Sequence, residues 1–176
     1  MRCKFSILFF LFFISVNSQD SKKITEIFFY DFDIEIPTPA FDKKKGFTKY
    51  DEMIAFLDNI KANFPKKISI KYIGKSQKGK EIPMVFLGNQ KSPLIKTCFM
   101  GGLHGNEPAG TEGMLLLINN LLKVDSIAKI LDKVNLAIIP MANIDGYEKQ
   151  SRYANNGQDL NRDHTKLPNP EMIAIK

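Results

Sequence analysis

The 176 residues predict an α/β fold, a three-layer α/β/α arrangement around a mixed central sheet. Three observations carry that expectation. The run "LIKTCFMGG", the helix-patterned "PAGTEGMLLLINNLLK" and the run "VNLAIIP" form a strand, helix and strand of the length that makes a right-handed crossover. Two earlier extended runs are separated only by a tight polar turn. The composition, 44% hydrophobic and 25% charged, is ordinary for one globular domain.

The chain opens on "MRCKFSILFFLFFISVNSQD", with basic Arg2 and Lys4, an apolar run from Phe5 to Val16, and small polar residues after it. This is the pattern of a secretory signal peptide, too short in its apolar part to span a bilayer as a helix. Cleavage is expected after Ser18, which divides the chain into a signal (1–18), an extension (19–45) and a domain (46–176). The destination is secreted or periplasmic. An uncleaved anchor would export the remainder equally, but no stable membrane insertion is expected. Removing residues 1–18 takes Arg2 and Lys4 and no acid, so the formal charge falls from +6 to +4. The lysines are spread out and lack interleaved aromatics, which argues against a nucleic-acid groove. With Cys3 in the signal, Cys98 has no internal disulfide partner.

After a loose stretch through "IEIPTPAFDKKKG", Tyr50, Met53, Ile54, Leu57 and Ile60 recur at helical spacing and predict a helix over about 49–63. Thr48 and Asp51 suggest a capping box at its start, and Pro65 forbids continuation. "KISIKYIG" and "EIPMVFLG" then read as paired strands around the turn "GKSQKGK". The "GKS" within that turn is not a phosphate loop, because the motif requires a glycine where Ser69 stands. Pro108 suits the first turn of the next helix, and Pro140 ends the last strand. Residues 141–170, rich in Asn, Asp and Gly and without apolar periodicity, form a loop long enough to imply a function.

In open α/β sheets the ligand site lies outside the carboxyl ends of the strands. Both unusual segments fall there: "GGLHGNEPAG" after the third strand and the Asn/Asp-rich loop after the fourth. His104 and Glu107, three residues apart, offer an imidazole nitrogen and a carboxylate oxygen, both suited to zinc. Gly101, Gly102 and Gly105 let the backbone turn sharply enough to aim both at one point. Arg162 can grip a carboxylate bidentately with Asn161 beside it, and Arg152 can stabilise a developing oxyanion.

Four segments, "GGLHGNEPAGTEG", "IPMANIDGYE", "SRYANNGQDLNRDH" and the "PE" at 170–171, closely resemble the M14 metallocarboxypeptidases, the zinc carboxypeptidases, in order and spacing. The resemblance implies that His104 and Glu107 ligate one zinc ion. It further implies that Asn161 and Arg162 bind the substrate's terminal carboxylate and that Arg152 polarises the scissile carbonyl. The implied activity is removal of C-terminal residues from peptides by zinc-activated water, in a protein that is monomeric when complete. His164, where the family has no metal ligand, is expected at the surface or behind the site. Asp163 departs from the asparagine common there.

The resemblance runs over about 40–176 and corresponds to the first half of the family's domain. The family's third zinc ligand, catalytic glutamate and capping tyrosine come later, so the chain by itself is expected to be an inactive N-terminal part with an apolar sheet edge exposed. Two alternatives remain open at this level. One is an M14-like deacylase acting on N-acyl amino acids; the other is a non-catalytic module that only binds carboxylates.

Overall fold

The computed structural model describes residues 37–43, 46–88 and 95–176, all within one compact unit, Asp33–Lys176. The expected signal segment and most of the expected extension lie outside the described residues. Among the described residues no helix is long and apolar enough to cross a membrane.

Four strands build a mixed sheet in the order β1-β2-β4-β3: β1 (Ile68–Lys75), β2 (Glu81–Leu87), β3 (Ile95–Met100) and β4 (Val134–Ile139). β1 and β2 are the anticipated hairpin, antiparallel with Ile68 opposite Leu87 and Lys75 opposite Glu81. β3 and β4 run parallel, with Thr97 opposite Leu136, as a strand-helix-strand unit requires. β2 joins the two pairs by lying antiparallel to β4. This central strand buries Ile82, Val85 and Leu87, whereas β3 leaves Ile95 and Phe99 exposed. Cys98 is exposed on the same strand.

The first helix among the described residues, α1 (Pro39–Lys43), corrects the expected loose stretch. It is secured to its neighbour by polar contacts: the Ala40 amide donates to Thr48 Oγ1 at 3.2 Å, and Lys43 pairs with Glu52 at 2.6 Å. α2 (Tyr50–Asn63) follows, packing Met53, Leu57 and Ile60 into the core. Its N-cap is Lys49, one residue later than expected, and Glu52 rather than Asp51 reaches back to accept from the Lys49 amide at 2.7 Å. Thr48 is diverted from capping by a distant partner. Its amide and hydroxyl both donate to the Glu112 carboxylate, at 2.7 and 2.8 Å.

α3 (Pro108–Lys123) carries proline at its start as expected and buries Leu115, Ile118, Leu121 and Leu122 against the sheet's core cluster. Fully burying such side chains contributes about 1.5–3 kcal/mol each. α4 (Asp125–Ala128) and a 3-10 turn (Lys129–Asp132) lead into β4.

The segment after β4 is more structured than its composition suggests. Met141 to Tyr147 are all buried, α5 (Ile144–Glu148) forms within it, and a second 3-10 turn covers Leu160–Arg162. Side chains replace an apolar stripe as the organising force: Asn143 Oδ1 accepts from the Gly146 amide, Asn156 Oδ1 from Gln158 and Asp159 Oδ1 from Asn161. α6 (Pro170–Ile175) ends the chain and packs Ala174 against Gly74 of β1.

Candidate metal centre and carboxylate-binding loop

The two loops that carry the candidate residues begin as extensions of the parallel β3–β4 ladder. The Gly101 amide donates to Ile139, Ala142 donates to Gly101 and Asn143 to Gly102, at 2.8–3.0 Å. Gly102 adopts φ +59°, a conformation that glycine takes without strain. Gly105 is required for a different reason. A Cβ there would lie 2.1–2.4 Å from the main chain of Gly146 and Tyr147 in α5, so the loop presses backbone to backbone on the second segment.

This contact delivers His104 into a cluster. Its Nδ1 lies 3.1 Å from Glu107 Oε1 and its Nε2 lies 3.2 Å from Asp159 Oδ1. The imidazole is largely covered, with 11% of the side chain exposed, whereas Glu107 is 60% exposed. Arg152 donates through Nε and Nη2 to Asp159 Oδ2 at 3.2 and 3.1 Å, and its Nη1 stands 3.5 Å from Glu107. Three of the five sequence-predicted residues, His104, Glu107 and Arg152, therefore meet around one point.

The residue that joins them, Asp159, was not among those singled out from the sequence. It is the first letter of "DLNRD", and aspartate ahead of a short helical turn ordinarily reads as a cap. It does cap the turn, accepting from the Asn161 amide at 2.9 Å. Burial pushes its carboxyl upward, but the Asn161 amide, the Arg152 guanidinium and His104 together hold it below the ordinary carboxylate range. It is thus a persistent acceptor at the back of the histidine.

Asn161 and Arg162 do not touch His104 or Glu107. Both are tethered to Asp159 through their backbone amides, Asn161 to its Oδ1 and Arg162 to its carbonyl oxygen, each at 2.9 Å. Arg162 is exposed, and its one side-chain hydrogen bond given by the structure is Nη1 to the Asn161 carbonyl at 3.2 Å. His164 is exposed too, with Nε2 3.5 Å from Asn161 Oδ1 and away from the His104–Glu107 pair.

The donor set fits a metal ion on chemical grounds. A neutral imidazole donates from one nitrogen only. When Nε2–H is given to Asp159, Nδ1 turns a lone pair toward the side of Glu107, so an imidazole nitrogen and a carboxylate oxygen 3.1 Å apart face one point, as two ligands of a single metal ion do. His104 and Glu107 could hold two positions of a zinc coordination shell. Among the described residues no group of three His, Cys, Asp or Glu side chains could hold an ion.

Asp163 lies behind the loop and is buried. Its Oδ2 accepts from the amide and Nδ2 of Asn169, at 3.0 and 2.9 Å, while Oδ1 has no partner among the described residues. Asp163→Asn keeps an acceptor for both donors and removes the buried charge, so stability should be unchanged or raised by up to about 1 kcal/mol. Urea unfolding measures this. A loss larger than about 1 kcal/mol would mean that the charge itself is needed.

Comparison with known proteins bears on the family and the fold. The M14 peptidase profile, described as zinc carboxypeptidase, matches residues 53–173. Carboxypeptidase 2 of Trichophyton tonsurans is 31% identical over 149 residues, which cover 80% of this chain and 28% of that protein. Carboxypeptidase SOL1 of Arabidopsis thaliana is 30% identical over 138 residues, covering 73% of this chain and 28% of its own length. The chain thus spans little more than a quarter of these curated relatives. Among solved structures, bovine thrombin-activatable fibrinolysis inhibitor in complex with tick carboxypeptidase inhibitor superposes with a TM-score of 0.67 at 15% identity. That match covers 74% of this chain and 54% of the other, and at this identity it speaks for the fold. With its profile match running through both site loops, the chain belongs to the M14 zinc carboxypeptidase family.

Proposed function

We propose that this chain contributes the zinc-binding loop and the carboxylate-binding loop of an exported carboxypeptidase, which removes C-terminal residues from peptides. The observation that carries the reading is His104 held between Glu107 and Asp159, with Arg152 locked to the same aspartate. His104 and Glu107 would hold one zinc ion. When bound, zinc supplies Lewis-acid polarisation and an activated water at neutral pH.

The chain's own residues account for the rest of the recognition. Asp159 takes the Nε2–H of His104 and so fixes the tautomer and the ring orientation that leave Nδ1 facing Glu107. Arg152 keeps Nη1 on the Glu107 side of the cluster, where a guanidinium can hydrogen-bond a carbonyl oxygen as it gains charge; one such donor is often worth about 3 kcal/mol. Arg162, open to solvent, can clamp a terminal carboxylate bidentately with the Asn161 amide beside it. A free C-terminus is then the feature that defines the substrate. Export, to the outside or to a periplasm, rests on residues 1–18 of the sequence.

The test uses the full-length protein. Zinc should be retained stoichiometrically, a peptide with a free C-terminus should lose its last residue, and the C-terminally amidated peptide should not. Arg162→Ala should raise KM roughly 10- to 100-fold while zinc content stays the same, the effect expected for one charged, bidentate contact. Equal cleavage of the amidated peptide, or protein without zinc, would sink the reading. Preference for N-acyl amino acids over peptides would transfer it to a deacylase.

A further inference from the structure

The turn of the β1–β2 hairpin, remote from both site loops in sequence, grips the second loop at each of its ends. On one side Ser76 Oγ and the Lys78 amide donate to Asp145, at 2.8 and 2.9 Å. On the other the Gln77 amide donates to Glu171 Oε1 at 2.9 Å, and Gln77 Nε2 donates to Asn169 Oδ1 at 2.7 Å. Asp145, Asn169 and Glu171 are completely buried. Such hydrogen-bonded buried groups are expensive to displace, so the contacts fix position rather than decorate a surface.

Asn169 passes the constraint onward. Its Nδ2 donates to Gln158 Oε1 and to Asp163 Oδ2, both at 2.9 Å, and its Oδ1 also accepts from Asn156 at 2.8 Å. Gln158 precedes Asp159, and Asp163 follows Arg162. One buried amide therefore holds both flanks of the 3-10 turn that carries Asn161 and Arg162.

The hairpin does not need the Gln77 side chain to close. Ser76 and Gly79 supply the main-chain bonds, Ser76 N to Lys80 O at 2.7 Å and Gly79 N to Ser76 O at 2.8 Å, with Gly79 at φ +81°. Gln77 is half-buried and reaches away from the turn to Asn169. We propose that Gln77 is a positioning residue for carboxylate recognition, acting through Asn169 to hold the Asn161–Arg162 turn in place. The inference rests on the assignment of Asn161 and Arg162 to the substrate carboxylate.

Gln77→Ala in the full-length protein removes the side-chain donor and keeps the amide that serves Glu171. KM for a peptide with a free C-terminus should rise roughly three- to tenfold, the scale of one lost hydrogen bond. kcat should stay within about twofold and zinc affinity should move far less than in Asp159→Ala, because His104 and Glu107 stand on the other loop and Asp159 keeps its own bonds to His104 and Arg152. Gln77→Glu, which cannot donate to Asn169 Oδ1, should raise KM at least as far. An unchanged KM overturns the inference, as does a rise of KM accompanied by losses of kcat and zinc affinity in step with the unfolding midpoint. Arg162→Ala separates the two levels: if it raises KM while Gln77→Ala does not, only the positioning role falls; if neither does, the carboxylate assignment falls as well.

Discussion

Gly105→Ala should cost the full-length protein about 3 kcal/mol or more of stability and most of its zinc, the largest loss expected from adding a single carbon anywhere in the two loops. The new Cβ would meet the carbonyl carbon and oxygen of Gly146 and the amide of Tyr147 at 2.1–2.4 Å. Those atoms belong to α5, whose residues Ile144 to Tyr147 are buried, so neither partner can retreat. The loop must lift instead, and it carries His104 away from Asp159. Urea unfolding together with zinc content measures both effects. Gly113→Ala is the control, because nothing lies within 4 Å of its Cβ position on an exposed face of α3. There helix propensity alone predicts a change of about 1 kcal/mol in favour of the variant. Zinc retention by Gly105→Ala would show that the loop has more freedom than its contact implies.

Asp159→Ala should lower zinc affinity about 10- to 100-fold, the range found when the partner behind a ligating histidine is removed. The substitution releases His104 Nε2, removes both Arg152 hydrogen bonds to the loop and takes the cap from the Asn161 amide at once. Lost capping should add about 1 kcal/mol of destabilisation. Asp159→Asn retains one neutral acceptor and should fall between the two. A chelator competition titration orders the three proteins, and equal affinity in all of them would remove Asp159 from the site. A mere surface ion pair would produce no such order, since exposed pairs contribute little.

Much of this was legible in the sequence where local rules decide the outcome. Two extended runs on either side of a polar turn located β1 and β2, and Pro108 followed by an apolar stripe located α3. His104 and Glu107 could be paired from their three-residue spacing and the surrounding glycines. Misreadings arose where a distant residue intervened. Thr48 has the chemistry of an N-cap, but Glu112, 64 positions away, takes its hydroxyl and leaves Lys49 at the helix start. Residues 141–170 lack periodicity because hydrogen-bonding side chains, not an apolar face, hold them. Asp159 escaped notice because an aspartate before a short turn explains itself locally, and its service to His104, 55 residues earlier, has no local signature. The placement of β2 between β1 and β4 likewise depends on tertiary pairing that no short segment encodes.

The ladder bonds that continue from β3 and β4 into the two loops also govern which changes of chain length the fold can absorb. One residue inserted into β3 or β4 would advance one loop by about 3.3 Å against the other and turn its side chains to the opposite face, parting His104 from Asp159. The connection through 124–133, outside the ladder and mostly exposed, carries no such accounting. Insertions and deletions should therefore collect in that connection, and the count of residues from Thr97 to His104, and from Leu136 to Asp159, is the dimension along which the site is held constant.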